Sequence, residues 1–172
     1  MRVGLVLMTA IVPTIGHKFL IDYASKFYGI DRLVVIVSTR QKEPTSFDER
    51  VLHLGGSNVV FYNHLDDDAP QHPNPDYDFD YLFWKYWENV IKTACETTCK
   101  EYEITHVFAS EMYGKTVADL FRASFIPVDI KRETYDVRGT DVRNGLFENA
   151  NKIVPGFVKD HEVKVVLFGL VS

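Results

Sequence analysis

The residues best suited to chemistry lie where an apolar run near the start of the chain leads into a helical pattern. Thr14, Gly16 and His17 occupy this junction. A helix N-terminus offers unpaired N–H groups and a partial positive charge, and both suit a phosphate. Gly16 permits close approach of a ligand, while Thr14 and His17 can donate hydrogen bonds. The alternative is a plain strand-to-helix turn with a capping threonine.

A second junction of the same kind lies near the other end of the chain. Thr140 can cap a helix whose first turn carries Arg143, and Gly139 again allows close approach. A guanidinium there can bind a phosphate in bidentate geometry. Lys18 and Arg138 are weaker candidates for the same phosphates. Two such junctions favour one phosphate-binding cleft over two unrelated capped helices.

Four residues indicate a second part of a ligand site. Ser110, Glu111 and Tyr113 follow an apolar run, at a position that faces ligands in parallel sheets. Trp87 lies on a helical pattern and can stack on a cationic ring. The alternatives are a polar helix N-terminus for the first three and a core tryptophan for Trp87. Arg50, on another helical pattern, is expected to be exposed unless it reaches a phosphate.

Apolar runs alternate with helical patterns along the chain, which predicts an α/β fold. The predicted strands are 3–8, 33–37, 58–62, 106–109, 126–130 and 164–168. The predicted helices are 17–29, 47–54, 81–102, 115–123 and 140–144, with a loop at 65–80. Ser46 and Glu49 form a capping-box pattern before the second helix. We therefore expect a Rossmann-like, mainly parallel sheet of five or six strands, with helices on both faces and ligands beyond the carboxyl ends of the strands.

Composition limits the range of functions. A chain of 172 residues suits a single domain, which we place at 1–172. The net charge of −5 argues against a protein that binds the nucleic-acid backbone. No apolar run reaches about 18 residues, so no membrane span is expected. The two cysteines, Cys95 and Cys99, are expected to be reduced thiols in a cytoplasmic protein.

The two junction motifs together resemble the HxGH nucleotidyltransferase superfamily. They are TIGH at 14–17 and VRGTDVR at 137–143. The first histidine of the family motif is Thr14 here, and the serine of the second motif is Arg138. An arginine beside a polyphosphate is favourable, and a threonine can still donate to one.

Further stretches narrow the resemblance to the adenylyltransferase domain of the NadR-type nicotinamide-nucleotide adenylyltransferases. These stretches are YWENVIK at 86–92, HVFASEMYG at 106–114 and PVDIKRETYDVRGTDVR at 127–143. The last segment, KVVLFGLVS at 164–172, looks like the start of a truncated P-loop kinase domain. Without the remaining glycine and lysine of that motif, we expect no kinase activity.

The resemblance implies that nicotinamide mononucleotide (NMN) and ATP form NAD and pyrophosphate. The implied catalytic residues are His17, Arg143 and Thr14. The implied ATP contacts are Gly16, Lys18, Gly139, Thr140 and Arg138, and the implied NMN or NAD contacts are Trp87, Ser110, Glu111 and Tyr113. Mg²⁺ would arrive with ATP, so no protein metal site is expected.

Two alternatives remain open at this point. One is another HxGH adenylyltransferase or cytidylyltransferase, such as a pantetheine-phosphate adenylyltransferase. The other is a sensor that binds NAD or ATP without turnover, which the substituted Thr14 favours. The resemblance is compatible with a homo-oligomer, although the sequence shows no interface pattern.

Overall fold

A parallel sheet forms the centre of the protein. The computed structural model describes residues 1–68, 70, 73–74, 76, 80–146 and 148–161. Within them the strands are β1 Arg2–Met8, β2 Arg32–Thr39, β3 Val59–Leu65, β4 Glu103–Ala109 and β5 Ser124–Pro127. They pair in the order β3-β2-β1-β4-β5, and every pairing is parallel. The carboxyl ends of all five strands therefore lie at one edge of the sheet.

Helices connect the strands and cover both faces. They are α1 Ile15–Ser25, α2 Phe47–Val51, α3 Tyr81–Thr98, α4 Tyr113–Leu120, α5 Gly139–Asn144 and α6 Pro155–Asp160, with a 3-10 turn at Ala150–Lys152. No helix in the described ranges has the length and apolar character needed to cross a bilayer.

The burial of β2 shows why these apolar runs form central strands. Leu33, Val35 and Val37 are fully buried against α1 on one face of the sheet. The intervening Val34 and Ile36 are fully buried against α3 on the other face. A strand covered on both sides must be apolar at successive positions, which is the pattern seen in the sequence. The predicted α/β fold with helices on both faces is confirmed.

Several boundaries differ from the prediction. The last described strand is Ser124–Pro127 rather than 126–130. It ends early because Asp129 adopts a left-handed conformation (φ 50°) and its carboxylate accepts hydrogen bonds from the Thr134 and Tyr135 N–H groups. α3 ends at Thr98 rather than 102, and α6 was not predicted at all. The predicted strand at 164–168, within the stretch that resembles a P-loop, lies outside the described residues.

The two cysteines lie on the α3 side of the sheet. Both are free thiols, and both are buried. Burial raises the pKa of the Cys95 thiol to about 12, so it stays protonated at neutral pH.

Candidate functional site

Two cavities open at the carboxyl edge of the sheet and share a wall. One, of about 530 Å³, lies over the start of α1 and the start of α5. We call it the cationic cleft, after Arg132 and Arg143 in its lining. The other, of about 420 Å³, lies beside α3, and we call it the aromatic cavity, after Phe83, Trp84 and Trp87. Both are lined by Leu7, Met8, Thr9, Glu111 and Tyr113.

The cationic cleft brings the two sequence motifs into contact. Its lining includes Thr14, Gly16, His17, Gly139, Thr140 and Arg143, together with Ser110. A Cβ atom added at Gly16 would lie 3.8 Å from the Val137 Cβ atom, and one added at Gly139 would lie 4.0 Å from the His17 Cε1 atom. The two motifs therefore lie within van der Waals reach of each other.

The start of α1 fixes the protonation of His17. The Thr14 N–H donates to His17 Nδ1 at 2.9 Å, and the His17 N–H donates to the Thr14 hydroxyl oxygen at 3.2 Å. Because Nδ1 accepts a hydrogen bond, the proton of the neutral ring lies on Nε2. Burial lowers the pKa of His17 to about 4, and the charges of Arg132 and Arg143 add to this effect. His17 is therefore a neutral donor at physiological pH.

Thr14 acts as the N-cap of α1. It is buried, and both its N–H and its hydroxyl group bond to His17. The structure thus gives Thr14 the capping role that the sequence left as an alternative. Thr14 also lines the cationic cleft, so it stays a predicted phosphate contact.

α5 begins one residue earlier than the sequence indicates. We expected Thr140 to be the N-cap, and this was wrong. Arg138 takes that position because its backbone is extended and its carbonyl accepts the Val142 N–H at 3.1 Å. The Thr140 hydroxyl instead accepts from Arg143 Nη2 at 3.3 Å, which holds the guanidinium over the first turn of the helix.

Arg132 is a cleft residue that sequence reasoning missed. It lines the cationic cleft from the loop after β5, and its Nη2 lies 3.7 Å from Glu111 Oε1. Its backbone adopts a left-handed conformation, with a φ of 56°. The Lys131-Arg132 pair just before the second motif was the available signal. The direction of Arg132 depends on the unusual backbone conformation, which no local pattern predicts.

The aromatic cavity contains the predicted ring-stacking residue. Trp87 is half-buried and packs edge-on against His64 and Tyr86, with centroid distances of 5.6 and 5.5 Å. Trp84 lines the same cavity. A buried carboxylate, Asp66, also lines it and pairs with Arg40 at 3.4 Å. This cavity therefore combines aromatic faces with negative charge.

The three predicted residues after β4 divide between the cavities. Ser110 lines the cationic cleft, whereas Glu111 and Tyr113 lie in the shared wall. The Tyr113 hydroxyl donates to the Leu7 carbonyl oxygen at 2.9 Å, and burial raises its pKa. Tyr113 therefore anchors α4 to the carboxyl end of β1.

A buried arginine holds the shared wall in place. Arg50 is fully buried rather than exposed. Its five donated hydrogen bonds, of 2.9 to 3.2 Å, go to the Thr9, Ser38 and Thr45 carbonyl oxygens, the Thr45 hydroxyl and Glu43 Oε1. A guanidinium has five N–H groups, so none remains for a phosphate. Arg50 instead fastens the loop after β1 to the carboxyl end of β2.

Comparison with known proteins supports the fold. The sequence matches no protein-family model and no curated protein. Its fold is similar to that of a NadR protein. That crystal structure, of NadR in complex with NR, aligns with a TM-score of 0.60 at 15% sequence identity. The match covers 88% of this chain and 44% of that chain, so this chain spans less than half of the neighbour's length.

Lys18 and Arg138 are the remaining predicted phosphate contacts. Within the described residues, neither Lys18 nor Arg138 lines either cavity. Lys18 pairs with Asp22 at 2.9 Å, and Arg138 is exposed. Their roles remain predictions.

No protein metal centre is built among the described residues, where no three His, Cys, Asp or Glu side chains are grouped to hold an ion. Glu111 is the one carboxylate among the described lining residues of the cationic cleft.

Proposed function

We propose that this protein is a nicotinamide-nucleotide adenylyltransferase that converts NMN and ATP into NAD and pyrophosphate. The observation that carries the proposal is the position of the cationic cleft directly beside the aromatic cavity, with one shared wall. A dinucleotide has a polyphosphate next to an aromatic ring, and this pair of cavities matches that order. The fold shared with a NadR protein in complex with NR supports the same proposal.

The reaction needs positioning and charge neutralisation more than proton transfer. An anionic phosphate oxygen of NMN attacks the α-phosphorus of ATP in line. The bond from that phosphorus to the oxygen bridging to the β-phosphorus breaks, and pyrophosphate leaves with the electron pair. Since the nucleophile is already ionised, no general base is required. Donors that match the charge of the transition state supply the rate enhancement.

The residues of the cationic cleft provide such donors. The neutral His17 ring offers its Nε2–H group, and Arg143 offers a guanidinium held by Thr140. The backbone around Gly16 and Gly139 is accessible for close contact with phosphate oxygens. Lys18, Arg138 and Thr14 are the weaker proposed contacts.

The acceptor nucleotide is assigned to the aromatic cavity. The nicotinamide ring of NMN is cationic and planar, so the exposed part of Trp87 suits it through a cation–π contact. Glu111 and Tyr113 in the shared wall, together with Ser110, are the proposed contacts near the junction of the two substrates.

Mg²⁺ fits this arrangement as a partner of ATP. Mg²⁺ is commonly held by substrate phosphates and water, so it would enter the cleft on ATP rather than through a protein metal site. When bound, the ion would neutralise phosphate charge in the transition state.

A non-catalytic sensor is the second candidate, and one observation favours it. The polar groups of Thr14, which replaces the first motif histidine, are engaged in capping α1. A sensor of this kind would bind NAD or ATP in the same two cavities without turnover.

A coupled assay of pyrophosphate release, with Mg²⁺ present, separates the candidates. ATP or CTP is combined in turn with NMN, nicotinic acid mononucleotide and phosphopantetheine. The proposal predicts release with ATP and NMN, with one NAD formed for each pyrophosphate. Release only with phosphopantetheine or CTP would place the protein elsewhere in the nucleotidyltransferase class. Tight NAD binding without any release would favour the sensor.

A further inference from the structure

Arg132 differs from the other arginines around the cationic cleft in how its side chain is bonded. Arg50 uses all five of its N–H groups, and Arg143 donates to Thr140. Within the described residues the guanidinium of Arg132 is paired only with Glu111. At 3.7 Å that contact is an ion pair that is too long for a hydrogen bond. The N–H groups of Arg132 are therefore not committed to protein acceptors.

The backbone keeps this guanidinium at the cleft at an energetic cost. A left-handed conformation is unfavourable for a non-glycine residue, and Arg132 has a φ of 56°. The turn is maintained by the Arg132 N–H, which donates to the Asp129 carbonyl oxygen at 2.9 Å, and by the two N–H groups bound to the Asp129 carboxylate. The Arg132 side chain is only 18% exposed, so it is preorganised rather than free in solvent.

Glu111, unlike Arg132, is largely exposed to solvent. Its side chain is 66% exposed and belongs to the wall shared by both cavities. An exposed carboxylate at this distance holds a guanidinium weakly. A triphosphate offers several charged acceptors that match the fork of a guanidinium in bidentate geometry. Such a ligand can therefore outcompete the carboxylate.

We propose that Glu111 holds Arg132 in the empty cleft and gives it up to the triphosphate of ATP. This exchange rests on the proposed function, because ATP is the ligand it assigns to the cationic cleft. When ATP is bound, Arg132 contacts its phosphates. ATP must therefore break the ion pair between Arg132 and Glu111 in order to bind. The two residues then have opposite effects on ATP affinity.

Binding of ATP and of inorganic tripolyphosphate, measured by titration calorimetry on the full chain, tests the exchange. Arg132→Gln should weaken binding roughly tenfold to a hundredfold, the range for a charged hydrogen bond. Glu111→Gln should tighten it about two- to fivefold, the worth of an exposed ion pair. In the double variant Glu111→Gln should have no further effect. Arg132→Lys, which keeps the charge without the fork, should fall between wild type and Arg132→Gln.

Two outcomes would overturn the exchange. One is that Glu111→Gln tightens ATP binding equally in the wild-type protein and in the Arg132→Gln variant. That result would mean that Glu111 only repels the phosphates. Weaker binding by Glu111→Gln would show that Glu111 supports the bound state. Thermal unfolding of each variant confirms that it folds.

The exchange can fail separately from the proposed function. Wild-type protein that forms NAD without coupling between the two residues refutes the exchange alone. Coupled binding without NAD formation refutes the proposed function alone.

Discussion

The cationic cleft and the aromatic cavity share a wall yet are opposite in character. The cleft is lined by His17, Arg132 and Arg143, whereas the cavity is lined by tryptophans and the buried Asp66. Both open at the same edge of the sheet, so the strands alone do not decide their chemistry. The cleft takes its character from two loop-to-helix junctions and the cavity from one face of α3. A parallel sheet can therefore place two dissimilar ligand sites side by side by varying only its connections.

Arg50 supports both cavities at once, so its removal should have the largest effect of the substitutions considered. Removing a buried charge while leaving its partners behind typically costs about 3–5 kcal/mol. We expect Arg50→Ala to lower the free energy of unfolding by about that amount and to impair ATP and NMN binding together, since Thr9 lies in the shared wall. Urea denaturation measures the loss. Arg50→Lys, which keeps the charge, should lose less. If Arg50→Ala lowered the free energy of unfolding by less than about 1 kcal/mol, Arg50 would not hold the loop after β1 to β2.

His17 tests the cleft alone. Loss of one preorganised donor to a transition-state anion typically lowers turnover about 10²- to 10³-fold. We therefore expect His17→Ala to lower kcat in that range and to leave the KM for NMN nearly unchanged. Steady-state kinetics with each substrate varied in turn gives both values. An unchanged turnover number would remove His17 from catalysis.

Trp87 tests the aromatic cavity alone. A cation–π contact is worth about 0.5–2 kcal/mol, so Trp87→Leu should raise the KM for NMN roughly 2- to 30-fold. The KM for ATP should not change, because Trp87 does not line the cationic cleft. Trp87→Phe, which retains an aromatic face, is the matched control. Equal losses for both substrates would mean that Trp87 only supports packing.

A fourth prediction concerns the pH dependence that His17 gives to stability. Its pKa falls from 6.5 to about 4 on folding. Between these values the unfolded chain binds the proton more readily, so this contribution to stability falls as the pH drops from about 6.5 toward 4. His17→Gln keeps a capping-box side chain but does not titrate. Urea unfolding at several pH values should show a shallower loss for this variant, and identical profiles would refute the assignment.

The sequence predicted the parts of the fold and site that depend on local pattern. Continuous apolar runs indicated buried strands, and the capping box of Ser46 and Glu49 is present at α2. Because parallel strands end at one edge, the two motifs were expected to share one phosphate-binding cleft, and residues of both motifs line the cationic cleft.

Other features depend on distant contacts that no local pattern carries. In the sequence, Arg50 resembles an exposed helix residue. In the structure, five acceptors surround its guanidinium, and they come from two loops and one strand. Arg132 lines the cleft from a position whose backbone is left-handed. Asp66 lines the aromatic cavity from the end of β3, although it belongs to an acidic run that is typical of solvated loops. These positions are set by tertiary structure.

Transfer of isotope from ATP tests the proposed adenylyl transfer itself. With ATP labelled at the α-phosphorus, we expect the label to appear in NAD, at a rate that depends on both His17 and Trp87. With label at the γ-phosphorus, it predicts that the label appears only in pyrophosphate. Transfer of the γ-label to NMN, or tight binding of ATP and NMN with no transfer of either label, would contradict the account.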